Sequence, residues 1–311
     1  MKKNLARSGL LILAGVLMFS APAVGQDRHE RQRFLDRSTE VSDDPRRIPV
    51  PPGPKGPEGI LVIRGGLIFD ATGASAREGT LVIERNKIAR ILGPGREEWP
   101  DTARVIDAAG KFVMPGLIDM HTHLTYTEPN VPVSHALDEA DQTLRGMERL
   151  RFFIESGITS VRDVGSAEPV VFRLKEWVRQ RRLAGSRVFA SGLYMTGTGG
   201  HAAEGLDEHS PGYGSIREVS GPDDWREAVR ERFQAGADFI KIGSHFTTEE
   251  AAAAAEEAHA LGLKITADAE TFYITRAVEA GVDMIEHPLP RTDETIRMMA
   301  EAGTEAVPTL I

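Results

Sequence analysis

Cysteine is absent from all 311 residues, so neither a disulfide framework nor a lipid-anchored cysteine can hold this chain. Stability has to come from burial, and from metal if metal is bound. Net positive charge is also missing. The formal charge is -9 at pH 7, a poor match for a polyanion, so no nucleic acid is expected as a partner. The N-terminal apolar run, Leu10 to Phe19, falls short of the roughly 20 residues that a membrane-spanning helix needs.

That short run has its own meaning. It follows Lys2, Lys3 and Arg7 and precedes Ser20-Ala21-Pro22-Ala23-Val24-Gly25, the layout of a secretory signal peptide over residues 1–25. Cleavage after Gly25 or Ala23 fits the small-residue rule; an uncleaved anchor is the alternative. A periplasmic or secreted location follows as the expectation, with no stable membrane anchor once the signal is removed.

With 41% hydrophobic and 27% charged residues, the chain has the composition of an ordinary globular protein, large enough for one major core and a smaller domain. Residues 26–59 are charged and then proline-rich, ending in Pro49-Val50-Pro51-Pro52-Gly53-Pro54-Lys55-Gly56-Pro57. Such a segment cannot bury enough apolar surface to fold alone, and reads as a flexible leader or as an arm packed on the body or on a second subunit. Residues 60–113 carry short β-rich runs at Ile60–Phe69, Thr80–Leu92 and Ala103–Ile106. Glu84-Arg85-Asn86-Lys87 sits as a hairpin turn inside the second of these. A small antiparallel β domain is expected there.

From residue 114 the pattern changes to apolar strands alternating with amphipathic helices. Candidate strands are Gly116–Met120, Ser160–Asp163, Arg187–Ser191, Phe239–Ile242, Lys264–Asp268, Met284–Glu286 and Glu305–Val307. Helices are expected between them, among others at Trp225–Gln234, Thr248–Leu261 and Thr275–Ala280. Strict alternation points to parallel βα units and an α/β fold of the TIM-like (β/α)8 barrel type over residues 114–311. An open doubly wound sheet is the alternative, but polar residues gathered at strand ends favour the barrel. About seven of the eight strands can be counted, so the barrel is expected to be incomplete and the chain to be a truncated copy.

The strongest motif is Pro115-Gly116-Leu117-Ile118-Asp119-Met120-His121-Thr122-His123. Alternate residues of a strand share a face, so His121 and His123 project to the same side. At the carboxyl end of a barrel strand that side is the mouth, where two imidazoles can ligate one cation. Two surface histidines are the bland alternative. Lys241 lies within Phe239-Ile240-Lys241-Ile242, where an ammonium facing a barrel interior needs a partner. A lysine whose stem packs while its head reaches water would satisfy the same pattern.

Together with Gly157-Ile158-Thr159-Ser160-Val161-Arg162-Asp163-Val164-Gly165, Ala190-Ser191-Gly192, Thr198-Gly199-Gly200-His201 and Ile285-Glu286-His287, these motifs resemble the amidohydrolase superfamily. The likeness is to its imidazolonepropionase and prolidase-like dipeptidase group, and it covers roughly residues 60–311. The resemblance implies a metal-dependent hydrolase of carbon–nitrogen bonds in a peptide-like or cyclic amide substrate. It also implies one or two divalent ions, expected to be Zn2+, held by His121, His123, Lys241, Asp268 and His287. Lys241 would be carboxylated by carbon dioxide to bridge two ions, and His201 would contact substrate.

Two departures stand out. Asp268 occupies a position where the family carries a metal-binding histidine; it either ligates as an anion or is an ordinary strand-end residue with one metal lost. The family's general-base aspartate after the eighth strand has no counterpart, so the catalytic base is unassigned. Asp163 is a candidate replacement in sequence, but its Val-Arg-Asp setting reads as structural. The expected partners are a small-molecule substrate and, optionally, a second copy of the chain. The competing reading is a metal- or ligand-binding barrel without turnover, or an inactive fragment.

Overall fold

A small sheet comes first in the chain. β1 (Ile60–Ile68) pairs antiparallel with β2 (Arg77–Glu84), which pairs antiparallel with β3 (Lys87–Leu92). The β2–β3 turn is Arg85-Asn86, both at positive φ, as a tight two-residue hairpin requires. β4 (Arg104–Asp107) and β5 (Phe112–Val113) then join β1 in parallel. The antiparallel meander is therefore extended by two parallel pairings that the run pattern does not show. Val62, Val82 and Leu92 form its core with Trp99 against them.

The structure is a computed structural model that describes residues 58–126, 138–203 and 214–309, all within one compact unit, Val50–Ile311. The signal segment 1–25 and nearly all of the leader 26–59 lie outside the described residues. Among the described residues no helix is long and apolar enough to cross a membrane.

Seven parallel strands of a TIM-type α/β barrel follow: β6 (Leu117–Thr122), β7 (Ile158–Asp163), β8 (Arg187–Ala190), β11 (Ile240–Ile242), β12 (Ile265–Asp268), β13 (Met284–Glu286) and β14 (Glu305–Val307). β6-β7-β8 form one run and β11-β12-β13-β14 another. Asp238 joins the two: its N–H donates to the Ala190 carbonyl at 2.8 Å and its carboxylate accepts from the Ala190 N–H at 3.0 Å. Two strands went unread in the sequence, β9 (Tyr194–Gly197) and β10 (Ile216–Val219). They pair in parallel, and β9 also meets β11. β9 thus ends directly before the Thr198-Gly199-Gly200-His201 motif. Among the described residues β6 and β14 do not pair with each other.

Helices α1 (Glu139–Glu155), α2 (Val170–Arg179), α3 (Pro222–Ala235), α4 (Thr248–Ala260), α5 (Phe272–Glu279) and α6 (Asp293–Ala302) occupy the connections. Their ends follow local chemistry. Thr247 and Glu250 form a reciprocal capping box on α4, satisfying donors that the first turn leaves unpaired. α3 begins with Pro222 and stops at Gly236, whose φ of 103° suits a left-handed cap. Along α4, Ala251, Ala253, Ala254, Ala255 and Ala258 are all buried, which lets it pack closely on its neighbours. β11 and β12 are buried along their whole length, as expected of strands covered on both faces. The larger core joins β11–β13 to α3–α5, and a second core joins β7 and β8 to α1 and α2.

Candidate metal centre

The proposed donors sit where barrel geometry puts functional groups. His121 lies near the end of β6 and His123 just past it, Lys241 is in β11, Asp268 ends β12, and His287 follows β13. The topology brings these five residues from four strands together. The His121 and His123 ring centroids are 5.4 Å apart, and those of His121 and His287 are 5.3 Å apart. Lys241 Nζ lies 3.2 Å from Asp268 Oδ2, and His287 Nε2 lies 3.3 Å from Asp268 Oδ1.

Each histidine has a second partner. His123 Nδ1 is 2.7 Å from the Gly165 carbonyl oxygen. A carbonyl can only accept, so Nδ1 carries the proton and Nε2 keeps the lone pair. His121 Nδ1 is 2.9 Å from Glu286 Oε2. His123 also stacks on Tyr126, centroid to centroid at 4.2 Å. His287 adopts φ +33°, a conformation that L-residues seldom take and that recurs at functional sites. Its N–H donates to the Val307 carbonyl at 2.7 Å, so β14 holds that backbone in place.

Electrostatics favour ligation at His123 and oppose it at His287. Burial pushes the His123 imidazole down to about 4, only partly opposed by its bond to Gly165, while the Lys241 charge lowers it further; the ring is neutral near pH 7. Burial alone would raise the Asp268 carboxyl, but the Lys241 ammonium and the His287 hydrogen bond hold it well below the usual carboxylate range. Its hydrogen bond to Asp268 raises His287 in turn, against burial. For Glu286 burial again pushes upward, and His121, Lys241, Arg162 and Thr266 outweigh it, setting the carboxyl at about 2.

The donor chemistry fits a divalent ion: three imidazoles, two of them with Nδ1 already engaged, plus one carboxylate. The geometry is not yet that of a bound ion. Among the described residues no three His, Cys, Asp or Glu side chains form a ready-made cluster, and Asp268 is engaged by Lys241 and His287. Lys241 itself is 1% exposed and lies over the Tyr194 ring at 5.3 Å; its head does not reach water. His201 is exposed beyond β9, its N–H donating to Ser244 Oγ at 3.1 Å and its ring 6.5 Å from Tyr194.

Asp163 is fully buried and accepts from Leu124 N, Gly165 N and Ser166 Oγ. It ties the loop after β6 to the loop after β7, the structural role its setting suggested. Sequence reasoning missed Glu286, Arg162 and Tyr126. Glu286 and Arg162 stood inside quoted motifs, and two ionisable residues within apolar strands were the signal that could have found them.

The chain matches the Amidohydrolase family over residues 112–311. An imidazolonepropionase from Symbiobacterium thermophilum is 29% identical over 287 residues, covering 79% of this chain and 62% of the relative. A dihydroorotase from Anaeromyxobacter dehalogenans is 32% identical over 145 residues, 45% of this chain and 30% of its own length. Among solved structures, a prolidase complexed with N-methylphosphonate-L-proline superposes with a TM-score of 0.72 at 30% identity, covering 81% of this chain and 66% of the other. A Xaa-Pro dipeptidase with methionine in its active site gives the same score and identity, at 81% and 67%. The chain thus spans less than two thirds of both named sequence relatives. A family match over most of the chain, a barrel of the same fold and the strand-end donors agree: this chain belongs to the amidohydrolase family.

Proposed function

We propose that this protein is a metal-dependent hydrolase of carbon–nitrogen bonds, acting on a small peptide-like or cyclic amide. The observation that carries this reading is the meeting of His121, His123 and His287 at the mouth of the strands, with Lys241 and Asp268 beside them. Family membership and neighbours that include a prolidase and an imidazolonepropionase support it.

His121 and His123 would hold a divalent ion, Zn2+ in our reading, through their Nε2 atoms, with His287 and Asp268 completing the set for one or two ions. When bound, such an ion polarises a carbonyl and lowers the pKa of water toward neutrality. The chain's own residues do the rest. Gly165 and Glu286 fix the two imidazoles of the His-x-His pair. Asp268 neutralises Lys241 in the buried interior. Carboxylation of Lys241 would replace the cation that Asp268 faces with an anion, so it belongs with metal loading and not with the metal-free chain. His201, exposed beyond β9, would contact the substrate in this reading.

The test is release of free amine by the zinc-loaded chain from three substrate sets: dipeptides ending in proline, N-acyl amino acids and cyclic amides. Turnover on one set, abolished by a chelator, is the expected result. A second reading, metal binding without turnover, is favoured by the engagement of Asp268 with Lys241; bound zinc with no amine from any set would support it instead. The signal-peptide layout places this activity outside the cytoplasm in our proposal, and processing at Gly25 or Ala23 is its check.

A further inference from the structure

Beneath the histidines one carboxylate joins four strands. Glu286, on β13, is fully buried. Its Oε1 accepts from the Arg162 guanidinium on β7 and from Thr266 Oγ1 on β12 at 2.5 Å. Its Oε2 faces His121 Nδ1 on β6 at 2.9 Å. Arg162 is itself enclosed, 5% exposed, with Met284 Sδ 3.6 Å away and the Phe239 ring 4.9 Å from its guanidinium carbon. Two buried ionisable residues inside a barrel are costly unless they serve each other. The metal chemistry proposed above gives Arg162 no role, and uses Glu286 only as a contact of His121, leaving open which tautomer that contact selects.

We infer that Glu286 is the positioning residue for His121, and that Arg162 sets which carboxylate oxygen the imidazole meets. This rests on the metal-site reading above. Arg162 can only donate, and a buried guanidinium keeps its carboxylate partner ionised, so Oε2 can only accept. In the neutral ring His121 Nδ1 must then carry the proton, leaving the lone pair on Nε2 for a cation. His123 obtains the same tautomer from the Gly165 carbonyl. The two imidazoles of the His-x-His pair are therefore preset alike by two unrelated acceptors.

Replacing the carboxylate with an amide makes the idea sharp. In Glu286→Gln, Arg162 requires the amide oxygen on its own side, because it cannot accept a hydrogen bond. The amide NH2 then faces His121 Nδ1, which has to accept. The proton moves to Nε2, and the nitrogen that should ligate is blocked. In Arg162→Met/Glu286→Gln that demand is gone, Thr266 can accept from the amide, and the amide oxygen can turn back toward His121.

The experiment is histidine 15N NMR on the metal-free full chain, with the His121 signal identified by its loss in His121→Ala, alongside titration with Co2+ as the affinity probe. Wild type should show His121 protonated at Nδ1. Glu286→Gln should show Nε2–H and bind Co2+ about 10- to 100-fold more weakly. The double variant should recover Nδ1–H and most of the affinity. An Nε2–H form in wild type overturns the inference, as does a folded Glu286→Gln with unchanged tautomer and affinity. Should Glu286→Gln not fold, wild type and the charge-free double variant still decide: Nε2–H in either overturns it. Failure of wild type to bind Co2+ would sink the metal-site reading instead, because the tautomer is read without metal.

Discussion

Lys241 and Asp268 form an ion pair inside the barrel, Nζ to Oδ2 at 3.2 Å, with Lys241 1% and Asp268 7% exposed. The sequence resemblance implies a histidine at the Asp268 position, and the partner of Asp268 is the lysine expected from the same resemblance to bridge metals. Breaking such a pair from one side leaves a buried charge uncompensated, at a cost of about 3–5 kcal/mol. Asp268→Asn should lose stability on that scale in the metal-free chain, and Lys241→Met/Asp268→Asn should recover much of it. Urea denaturation of the three proteins checks this; equal stability of Asp268→Asn and wild type would show that the pair is not formed.

Gly243 lies against Tyr194. A Cβ at this position would fall 2.4 Å from both Cε1 and Oη of that ring, and Tyr194 is buried beneath Lys241. Gly243→Ala should therefore cost about 1–3 kcal/mol through overpacking and displace the ring on which Lys241 rests. Its melting temperature, compared with that of Gly93→Ala, where a Cβ meets open space, is the measurement. Similar effects from both would mean that Tyr194 moves aside freely.

Much of the barrel was legible in sequence because parallel strands buried on both faces leave continuous apolar runs. Met284–Glu286 begins and ends where expected, as does Glu305–Val307, although only Val307 of that strand is buried. β9 and β10 were not legible. Tyr194–Gly197 ends among glycines that read as loop, and its pairing with β11 is a tertiary contact without a local signal. The residues proposed as metal donors drew notice because a charged or imidazole residue at the end of an apolar strand conflicts with its surroundings. Their supports did not: the Gly165 carbonyl has no side-chain signature, and the Arg162–Glu286 partnership spans 124 positions of the chain.

Asp163 gives a pH signature apart from metal. Burial raises its carboxyl from 3.8 to about 6, against the bonds from Ser166, Leu124 and Gly165. Because the folded value is the higher one, the folded chain binds more protons than the unfolded chain between about pH 4 and 6. The Asp163 contribution to stability therefore improves as pH falls through that window, by up to about 3 kcal/mol. Asp163→Asn cannot titrate, and it sets an amide NH2 against a ring of donors. Its deficit relative to wild type should widen from pH 7 to pH 4 in urea denaturation; a constant gap would contradict a raised Asp163.

Far from the site, Thr247 caps α4 by accepting from Glu250 N at 3.2 Å, while Glu250 Oε2 accepts from Thr247 N at 2.8 Å. Thr247→Ala should cost about 1 kcal/mol and leave metal affinity untouched. A loss of metal in this variant would show that folding and ligation cannot be separated by mutation.

The most direct test of the central claim is metal content after exhaustive dialysis of zinc-loaded protein, wild type against His121→Ala/His123→Ala, with folding of both checked by circular dichroism. Zinc retained by the wild type, at one or two ions per chain, and lost from the folded double variant is the predicted result. Equal zinc in both proteins, or none in wild type, would contradict a metal site built on the His-x-His pair.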